Sequence, residues 1–277
     1  MVKRHSVMEI PPTVSPEAGV TDRNPVRARN LGLPLRAAVW GASGATGAEV
    51  LRQCLEDRER RIGEIVAFTR RPLQLDERQR ARVTEVLVED FLDMQKHIED
   101  MRNIDVAYWC LGVSQLHEPK KAGYRRVTRD FTVASATVLK QASPDATFHF
   151  LSGLGASRIG LSPVMWGRVK GEAEQALIDL GLARLLIYRP TFIHSVVKRE
   201  RPTRGDVTAE RLYFRAIPLL TVSTLNIAHA MLHTTFTFHA ADQQRAKTLG
   251  PWQINRVASA YRQSQAEPKL LTALNEP

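Results

Sequence analysis

Residues 35–47 read LRAAVWGASGATG, a short apolar stretch that runs directly into three glycines spaced three residues apart. A buried strand that ends in such a turn and opens a helix presents free backbone N–H groups and the positive end of the helix dipole to an anion. Glycines permit the tight turn and the close approach of the backbone to a pyrophosphate. The segment therefore predicts a dinucleotide-binding turn formed by Gly41, Ser43, Gly44, Ala45, Thr46 and Gly47.

Short apolar stretches and helical patterns alternate downstream of this turn. We expect strands at 35–40, 64–69, 86–88, 106–111, 147–151 and 185–188, and helices at about 48–58, 120–142, 163–180 and 224–234. Strands that alternate with helices form right-handed βαβ units, in which helices cover both faces of a parallel sheet. The pattern predicts an α/β fold with a doubly wound, Rossmann-like parallel sheet in a single domain.

The chain is divided by composition into a central domain and two flanking segments. Residues 1–34 carry five prolines and little hydrophobic periodicity, which predicts a disordered arm. We expect the NAD(P)-binding Rossmann domain at 35–240, with a small substrate or lid region at 196–240. Residues 241–277 are expected to form a helical or irregular C-terminal extension.

The overall composition excludes several classes of protein. With 43% hydrophobic and 25% charged residues, the chain has enough apolar surface to fold, which excludes disorder as its main state. Its two cysteines are too few for a disulfide scaffold, and we expect both to be buried thiols in a reducing compartment. No apolar run approaches the length of a membrane span, and no N-terminal segment resembles a secretory signal. We expect a cytoplasmic protein, with the mitochondrion as the alternative.

The end of the second predicted strand indicates which nicotinamide cofactor the turn would hold. A carboxylate at this position would accept a hydrogen bond from the ribose 2′-OH of NAD. The sequence instead reads Thr69-Arg70-Arg71-Pro72, and a guanidinium can pair with the 2′-phosphate of NADP. Arg70 and Arg71 therefore favour NADP(H), while two solvated surface arginines and NAD remain the alternative.

Other kinds of site have weaker support in the sequence. The net charge of +10 suits an anionic ligand or a nucleic acid, but tryptophans are not interleaved with arginines as a stacking platform would need. The segment around Ser157 lacks the final glycine of a hydrolase nucleophile elbow. His229 and His233 have a metal-compatible spacing, but no third ligand accompanies them. We predict no metal site and no nucleic-acid partner.

Several segments in the same order carry a resemblance to a known family. The chain resembles an atypical short-chain dehydrogenase/reductase, and within that superfamily it is most similar to the small NADPH-binding proteins of the Tat-interacting-protein-30 type. The resemblance covers roughly residues 36–236. It rests on Gly41–Gly47, Thr69–Arg71, Trp109–Gly112, Gly123–Phe131, Phe150–Ser152, Val169–Glu172 and Tyr188–Pro190.

This resemblance implies roles for further residues. Ser152 is placed at the family's active-site serine, and Lys170 at the lysine that holds the nicotinamide ribose. The resemblance places two residues beside the adenine, three along the adenine ribose and three by the nicotinamide. These are Asp90 and Phe91, then Cys110, Leu111 and Gly112, and finally Pro190, Thr191 and Ile193.

One position departs from the family pattern of Tyr-x-x-x-Lys. The tyrosine is replaced by Trp166, four residues before Lys170. An indole N–H donates a hydrogen bond but does not titrate at useful pH, so it cannot exchange a proton with a substrate. The expected function is an NADP(H)-dependent oxidoreductase that acts on a small carbonyl or alkene, with Ser152 and Lys170 as catalytic residues. The alternative is a non-catalytic NADPH-binding protein that serves in interaction, sensing or assembly, with a protein as its partner in place of a small-molecule substrate.

Overall fold

A computed structural model describes residues 33–115, 117–194, 221–237 and 245–273. Within these ranges a seven-stranded, fully parallel sheet has the order β3-β2-β1-β4-β5-β6-β9. Its strands are β1 (Leu35–Trp40), β2 (Ile62–Thr69), β3 (Val83–Leu87), β4 (Val106–Trp109), β5 (Thr147–Leu151), β6 (Arg184–Tyr188) and β9 (Ala246–Leu249). The strand order reverses between β1 and β4, which is where open α/β sheets bind ligands.

Helices connect the strands and cover both faces of the sheet. They are α1 (Ala45–Glu56), α2 (Glu77–Arg80), α3 (Lys121–Arg125), α4 (Phe131–Ala142), α5 (Met165–Asp179), α6 (Thr224–Thr237) and α7 (Pro251–Ala273). A π-helical turn at Arg126–Asp130 joins α3 to α4, so the predicted helix at 120–142 is continuous. The doubly wound α/β fold predicted from the sequence is confirmed.

Successive residues of each strand face opposite layers, and this alternation divides the core in two. On one face, Val39, Tyr108 and Leu186 pack in a cluster with residues of α1, α6 and α7. On the other face, Trp40 and Trp109 pack in a cluster with residues of α4 and α5. Apolar residues on both sides of the same strand are expected where helices cover both faces of a sheet.

The C-terminal part of the chain differs from the sequence-based expectation. Strand β9 lies within the expected extension at 241–277, yet it pairs in parallel with β6 and completes the sheet. Helix α7 follows β9 and packs against α6, with Ile254 and Ala258 buried. The polar, four-residue strand lies at the edge of the sheet, where a continuous apolar run is not required.

Some predictions fall outside the described residues. These are the arm at 1–34, apart from its last two residues, and most of the lid region at 196–240. Strands β7 (Ile193–His194) and β8 (Val222–Ser223) pair in parallel and bracket the undescribed part of that region. Within the described part of the chain, no helix is both long enough and apolar enough to cross a bilayer.

Candidate functional site

The predicted cofactor residues follow the carboxyl ends of the parallel strands. The glycine turn follows β1, the two arginines follow β2, Asp90 follows β3, and Cys110 follows β4. The residues expected near a nicotinamide follow β5 and β6. The fold therefore gathers residues from distant parts of the sequence along one edge of the sheet, as cofactor sites of this architecture require.

The first and last glycines of the turn are sterically required. Gly41 has a φ of +78°, and a Cβ there would lie 2.8 Å from the backbone N of Leu111. A Cβ on Gly47 would lie 2.1 Å from the carbonyl oxygen of Gly41. Gly44 has more room, since its nearest neighbour would be that same oxygen at 3.3 Å. The segment after β4 therefore leaves no room for a side chain at Gly41, and the backbone of Gly41 leaves none at Gly47.

The start of α1 is suited to an anion. Gly44 is the N-cap residue of α1 and has no side chain to cap the helix. The first turn of α1 contains no acidic residue. Ser43 and Gly44 are exposed, Ala45 is half-buried, and Thr46 is buried. Uncapped N–H groups and the positive end of the helix dipole favour a phosphate at this position. The observed turn fits the pyrophosphate that the sequence predicts for it.

Two arginines are available beside this turn. Arg70 and Arg71 are both exposed after β2, and neither guanidinium pairs with an acidic group of the described residues. The Thr69 hydroxyl donates to the Arg71 carbonyl at 2.9 Å and accepts from the Arg71 N–H at 3.4 Å, which fixes the backbone here. Among the described residues the two guanidinium groups therefore have no acidic partner, at the position for which the sequence predicts a 2′-phosphate.

The residues expected around the adenosine have different degrees of exposure. Asp90 is half-buried and accepts hydrogen bonds from Arg126 and from the Leu92 N–H. The Phe91 side chain is 1% exposed and packs against Trp109 and Phe131, so it belongs to the core.

The segment after β4 lines the turn from the other side. Leu111 is half-buried beside Gly41, and Gly112 is exposed with nothing within 4 Å of a Cβ built on it. Cys110 is half-buried, and burial raises the pKa of its thiol to about 12, so the sulfur stays protonated and unreactive at neutral pH. These three residues offer backbone and small apolar groups to a ribose.

The amino group of Lys170 lies at the carboxyl end of β5. Its Nζ donates to the carbonyl oxygens of Leu151 at 3.1 Å and Ser152 at 3.2 Å, and it lies 5.9 Å from the centre of the Phe150 ring. Burial lowers the pKa of Lys170 to about 8, although the negative charge of Glu174 acts in the opposite direction. This amine can therefore change its protonation state near physiological pH.

Ser152 faces the interior of the protein. Its side chain is buried, and the Oγ donates a hydrogen bond to Glu174 Oε1 at 2.6 Å. In this arrangement the serine proton is held by a carboxylate, so Ser152 could polarise a substrate only after that bond breaks.

Glu174 is fully buried and forms the centre of a polar cluster that sequence analysis missed. It accepts from Arg189 Nε and Arg158 Nε, both at 2.8 Å, as well as from Ser152. Burial alone would raise the pKa of Glu174, but these hydrogen bonds outweigh it and hold the pKa below its usual value. Arg158 also donates to Thr248 of β9 at 2.8 Å, so the cluster joins α5 to three segments near the edge of the sheet. The signal in the sequence was an acidic residue between the apolar positions Ala173 and Leu177 of an amphipathic helix.

The residue beside Lys170 and Trp166 is a glycine. A Cβ on Gly153 would lie 3.1 Å from Trp166 Cζ3 and 3.6 Å from Lys170 Cδ. A Cβ on Gly155 would lie only 2.6 Å from Trp166 Cη2. The indole therefore occupies space that two glycines leave free, and no hydroxyl projects toward Lys170 from Gly153.

The two nearby phenols are packing residues. Tyr188 is fully buried, where its OH bonds with Thr234 Oγ1 at 2.6 Å and with His149 Nδ1 at 3.0 Å. Burial raises the pKa of Tyr188 and that of Tyr124, which is also buried. Neither phenol is accessible to a substrate in this structure.

The segment expected beside the nicotinamide extends the contact between β5 and β6. Leu154 N–H donates to the Pro190 carbonyl at 2.8 Å, and Ser152 N–H donates to the Tyr188 carbonyl at 2.8 Å. Pro190 is buried, whereas Thr191 and Ile193 are half-buried. These bonds hold the segment next to the glycines that face Trp166.

The histidine pair considered as a metal site lies elsewhere, on α6. His229 Nε2 is 3.0 Å from Gln53 Oε1, and its ring lies against Tyr261. Burial lowers the pKa of His229 to about 4, so it is neutral at physiological pH. Among the residues with defined positions, no group of three or more His, Cys, Asp or Glu side chains could hold a metal ion.

Comparison with known proteins finds relatives in sequence and in fold. No protein-family model matches the chain. The chain is 29% identical to protein HTATIP2 of Rattus norvegicus over 180 residues, which cover 65% of this chain and 70% of that protein.

Two solved structures illustrate the similarity in fold. An oxidoreductase of the short-chain dehydrogenase/reductase family from Burkholderia thailandensis has a TM-score of 0.58 at 15% identity, covering 86% of this chain and 98% of that one. A short-chain dehydrogenase from Burkholderia cenocepacia J2315, solved in complex with NADP, has a TM-score of 0.55 at 16% identity over 88% and 98% of the two chains. The resemblance seen in the sequence is confirmed: the chain is a homologue of HTATIP2 and has the Rossmann fold of short-chain dehydrogenases/reductases.

Proposed function

We propose that this protein is an atypical short-chain dehydrogenase/reductase that binds NADP(H) along the carboxyl edge of its sheet. The observation that carries the proposal is the uncapped start of α1, behind a turn in which a Cβ on Gly41 or Gly47 would meet the backbone within 3 Å. Such a cradle suits a pyrophosphate. The similarity to HTATIP2 and to a dehydrogenase solved with NADP supports the same assignment.

The arginines after β2 support NADP(H) over NAD(H). Thr69, Arg70 and Arg71 supply no carboxylate for a ribose 2′-OH, and both guanidinium groups are exposed. A guanidinium pairs with a phosphate through charge-assisted hydrogen bonds, whereas it gains little from a neutral hydroxyl.

We further propose that the bound cofactor exchanges a hydride with a small carbonyl or alkene. The nicotinamide would lie near Gly153 and Pro190, which follow β5 and β6, and near the amino group of Lys170, which reaches the end of β5 from α5. Lys170 is positioned to hold the nicotinamide ribose, as the family resemblance implies. Ser152 is the less favoured substrate contact because its hydroxyl donates to Glu174.

A specific observation also supports the second candidate, a non-catalytic NADPH-binding protein for interaction, sensing or assembly. At the carboxyl ends of β5 and β6, Trp166 and Gly153 supply no phenol or hydroxyl beside Lys170. A protein partner would then take the place of a small-molecule substrate. Both candidates fit the reducing conditions of the cytoplasm, or of the mitochondrial matrix, because Cys54 and Cys110 are free thiols.

Calorimetric titration with NADPH, NADP⁺, NADH and NAD⁺ tests the proposal. We expect the phosphorylated forms to bind more tightly, and Arg70→Ala or Arg71→Ala to weaken their binding by about tenfold or more, since a charge-assisted bond contributes about 1.5–3 kcal/mol. Arg78→Ala is the matched control because Arg78 is exposed on α2, away from the turn. Absence of binding by all four forms would contradict the proposal.

Consumption of NADPH separates the two candidates. Wild-type protein is mixed with NADPH and a panel of small aldehydes, ketones, enones and quinones, and absorbance of the reduced cofactor is followed. Steady turnover supports the oxidoreductase. Tight binding without consumption, together with a stable co-purifying protein, supports the non-catalytic candidate.

A further inference from the structure

The proposed oxidoreductase must exchange a proton as well as a hydride. A carbonyl that accepts a hydride at carbon gains negative charge on oxygen, and a positioned acid then protonates that oxygen. The expected phenol is absent, because Trp166 has only a non-titrating indole N–H. The structure therefore raises the question of which group beside the nicotinamide position can supply the proton.

We infer that Lys170 Nζ is the general acid in reduction and the general base in oxidation. This inference rests on the proposed function and extends it. Lys170 would then transfer the proton itself. In the role that the family resemblance implies, the lysine only holds the nicotinamide ribose and lowers the pKa of a neighbouring tyrosine.

The hydrogen bonds of Lys170 leave it free to act. An ammonium has three N–H groups, and two of them are directed to the carbonyl oxygens of Leu151 and Ser152. Both acceptors are neutral, and no carboxylate of the described residues contacts the amine directly and fixes its proton. The third N–H remains for a ribose hydroxyl or a substrate oxygen.

The side chain of Lys170 is half-buried, so it is not sealed inside the protein. Gly153 lies next to it, and a Cβ built on this glycine would be 3.6 Å from Lys170 Cδ. Trp166, which is also half-buried, lies against the same glycine, since a Cβ on Gly153 would be 3.1 Å from Trp166 Cζ3. The indole and the amine therefore lie side by side at the carboxyl end of β5.

Charged groups around Lys170 leave its amine in a nearly neutral environment. On its own helix, Glu174 is the charge that acts on it, and this carboxylate is neutralised by Arg158 from the loop after β5 and Arg189 from the end of β6. On the adjoining α3 segment, Arg125 pairs with Glu172 of α5 at 2.9 Å. Burial therefore dominates and lowers the pKa of Lys170 to about 8. A general acid is most effective when its pKa lies near the pH at which the enzyme operates, and this value is close to physiological pH.

The step balances in atoms and electrons. The carbonyl carbon gains a hydride, and with it two electrons, from the reduced cofactor, which becomes oxidised. The carbonyl π bond breaks, its oxygen forms a bond to a proton from the Lys170 ammonium, and an alcohol results. The neutral amine then regains a proton from water, so one solvent proton is consumed in each reduction.

Substitution of Lys170 tests the inference through both binding and rate. Lys170→Arg keeps the positive charge and the hydrogen-bond donors but does not release its proton near neutral pH. We expect NADPH affinity to change by less than threefold, and kcat at pH 7–8 to fall by about 10²-fold. Lys140→Arg is the matched control, because Lys140 also donates to a backbone carbonyl, that of Leu180 at 2.6 Å, but is exposed.

Two further measurements distinguish proton transfer from a structural role. The pH profile of wild-type kcat/KM should show an inflection near pH 8 that Lys170→Arg abolishes. In Lys170→Ala, added methylamine or ethylamine should restore part of the rate in proportion to its concentration. NMR of ¹³C-methylated lysines, compared between wild type and Lys170→Arg, measures the pKa of Lys170 without any turnover.

The outcomes separate this inference from the proposed function. Failure of wild-type protein to bind NADPH would contradict the proposed function itself. NADPH binding with an ordinary lysine pKa, or with an undiminished rate in Lys170→Arg, would overturn the role of Lys170 alone. NADPH binding with no wild-type turnover between about pH 6 and pH 10 would overturn that role together with the oxidoreductase candidate. Loss of rate in Lys170→Arg, with amine rescue in Lys170→Ala, would support that role.

Discussion

The two ends of the sheet's carboxyl edge differ in the functional groups that they offer to a dinucleotide. At the end near β1 and β2, the glycine turn, the uncapped helix and two unpaired arginines provide the groups that a dinucleotide phosphate needs. At the end near β5 and β6, Trp166 covers two glycines, and Ser152 donates its proton to a buried carboxylate. We call these the binding end and the reaction end.

If the proposed function is right, this difference means that the binding of a cofactor and the chemistry on it depend on separate groups of the same fold. The binding end depends on backbone N–H groups and on positions at which only glycine fits, so few substitutions are tolerated there. The reaction end depends on the identity of a few side chains, and one fold can host many such arrangements. Each variant below is chosen to change one end without altering the other.

Restoring a phenol and a hydroxyl at the reaction end should have the largest effect. Trp166→Tyr combined with Gly153→Ser removes the indole and places a hydroxyl where a Cβ would lie 3.6 Å from Lys170 Cδ. We expect the steady-state rate of NADPH oxidation with a small aldehyde to rise about 10²-fold, the lower limit for an added general acid, because Lys170 already supplies a proton. Affinity for NADPH should stay within twofold.

The single variant Gly153→Ser serves as a control for the double variant. Gly153→Ser alone crowds Trp166 Cζ3, from which a Cβ would be 3.1 Å away, and should give little gain in rate. A parallel loss of NADPH affinity in the double variant would show that the two ends are not independent.

A methyl group in the glycine turn should have the next largest effect, now at the binding end. Gly47→Ala would place a Cβ 2.1 Å from the Gly41 carbonyl oxygen, so the turn must move. Overpacking of this kind costs about 1–3 kcal/mol, and we expect NADPH to bind about tenfold to 10²-fold more weakly in calorimetry. Gly250→Ala is the control because Gly250 lies outside the turn and a Cβ there would meet only Gln253 Oε1, at 3.5 Å; this variant should bind NADPH as wild type. Equal losses in both variants would refute the steric explanation.

The fit between Trp166 and Gly155 should appear as coupled stability. Gly155→Ala places a Cβ 2.6 Å from Trp166 Cη2, which should lower the free energy of unfolding by about 1–3 kcal/mol in urea denaturation. Trp166→Phe should relieve most of that loss in the double variant, because the smaller ring vacates the space. Additive effects of the two substitutions would mean that the indole does not rest on Gly155.

The smallest expected effect lies far from both ends, at His229 of α6. Burial, together with Arg262 and Arg52, lowers the folded-state pKa of His229 from 6.5 to about 4, against a smaller opposing influence of Glu49. Between these values the unfolded chain binds more protons, so stability should fall as pH drops through this window. From pH 7 to pH 6 the loss should be under about 1 kcal/mol, and His229→Gln should reduce it. An unchanged pH dependence in His229→Gln would contradict this assignment.

The binding end could be predicted from the sequence because its signals are local. An apolar strand, a glycine turn and an amphipathic helix follow one another within residues 35–56, and each element constrains the next. The parallel sheet follows from the alternation of elements, and the two arginines follow a strand whose end could be located. Backbone geometry at this end is therefore encoded in consecutive residues.

The reaction end could be predicted only in part, because its arrangement depends on which face each residue takes. Side chains alternate across an extended chain, so adjacent residues such as Ser152 and Gly153 point in opposite directions. The sequence placed Ser152 in the site, but only three-dimensional packing shows Gly153 beside Lys170. The Glu174 cluster joins residues distant in sequence, and β9 is a polar edge strand that has no distinctive pattern.

A crystal structure of the protein grown with NADPH tests the central claim most directly. The account predicts the pyrophosphate over residues 41–47 at the start of α1, the 2′-phosphate against Arg70 or Arg71, and the nicotinamide between Gly153 and Pro190 near Lys170. A pyrophosphate bound elsewhere, or a 2′-phosphate that contacts neither arginine, would contradict it.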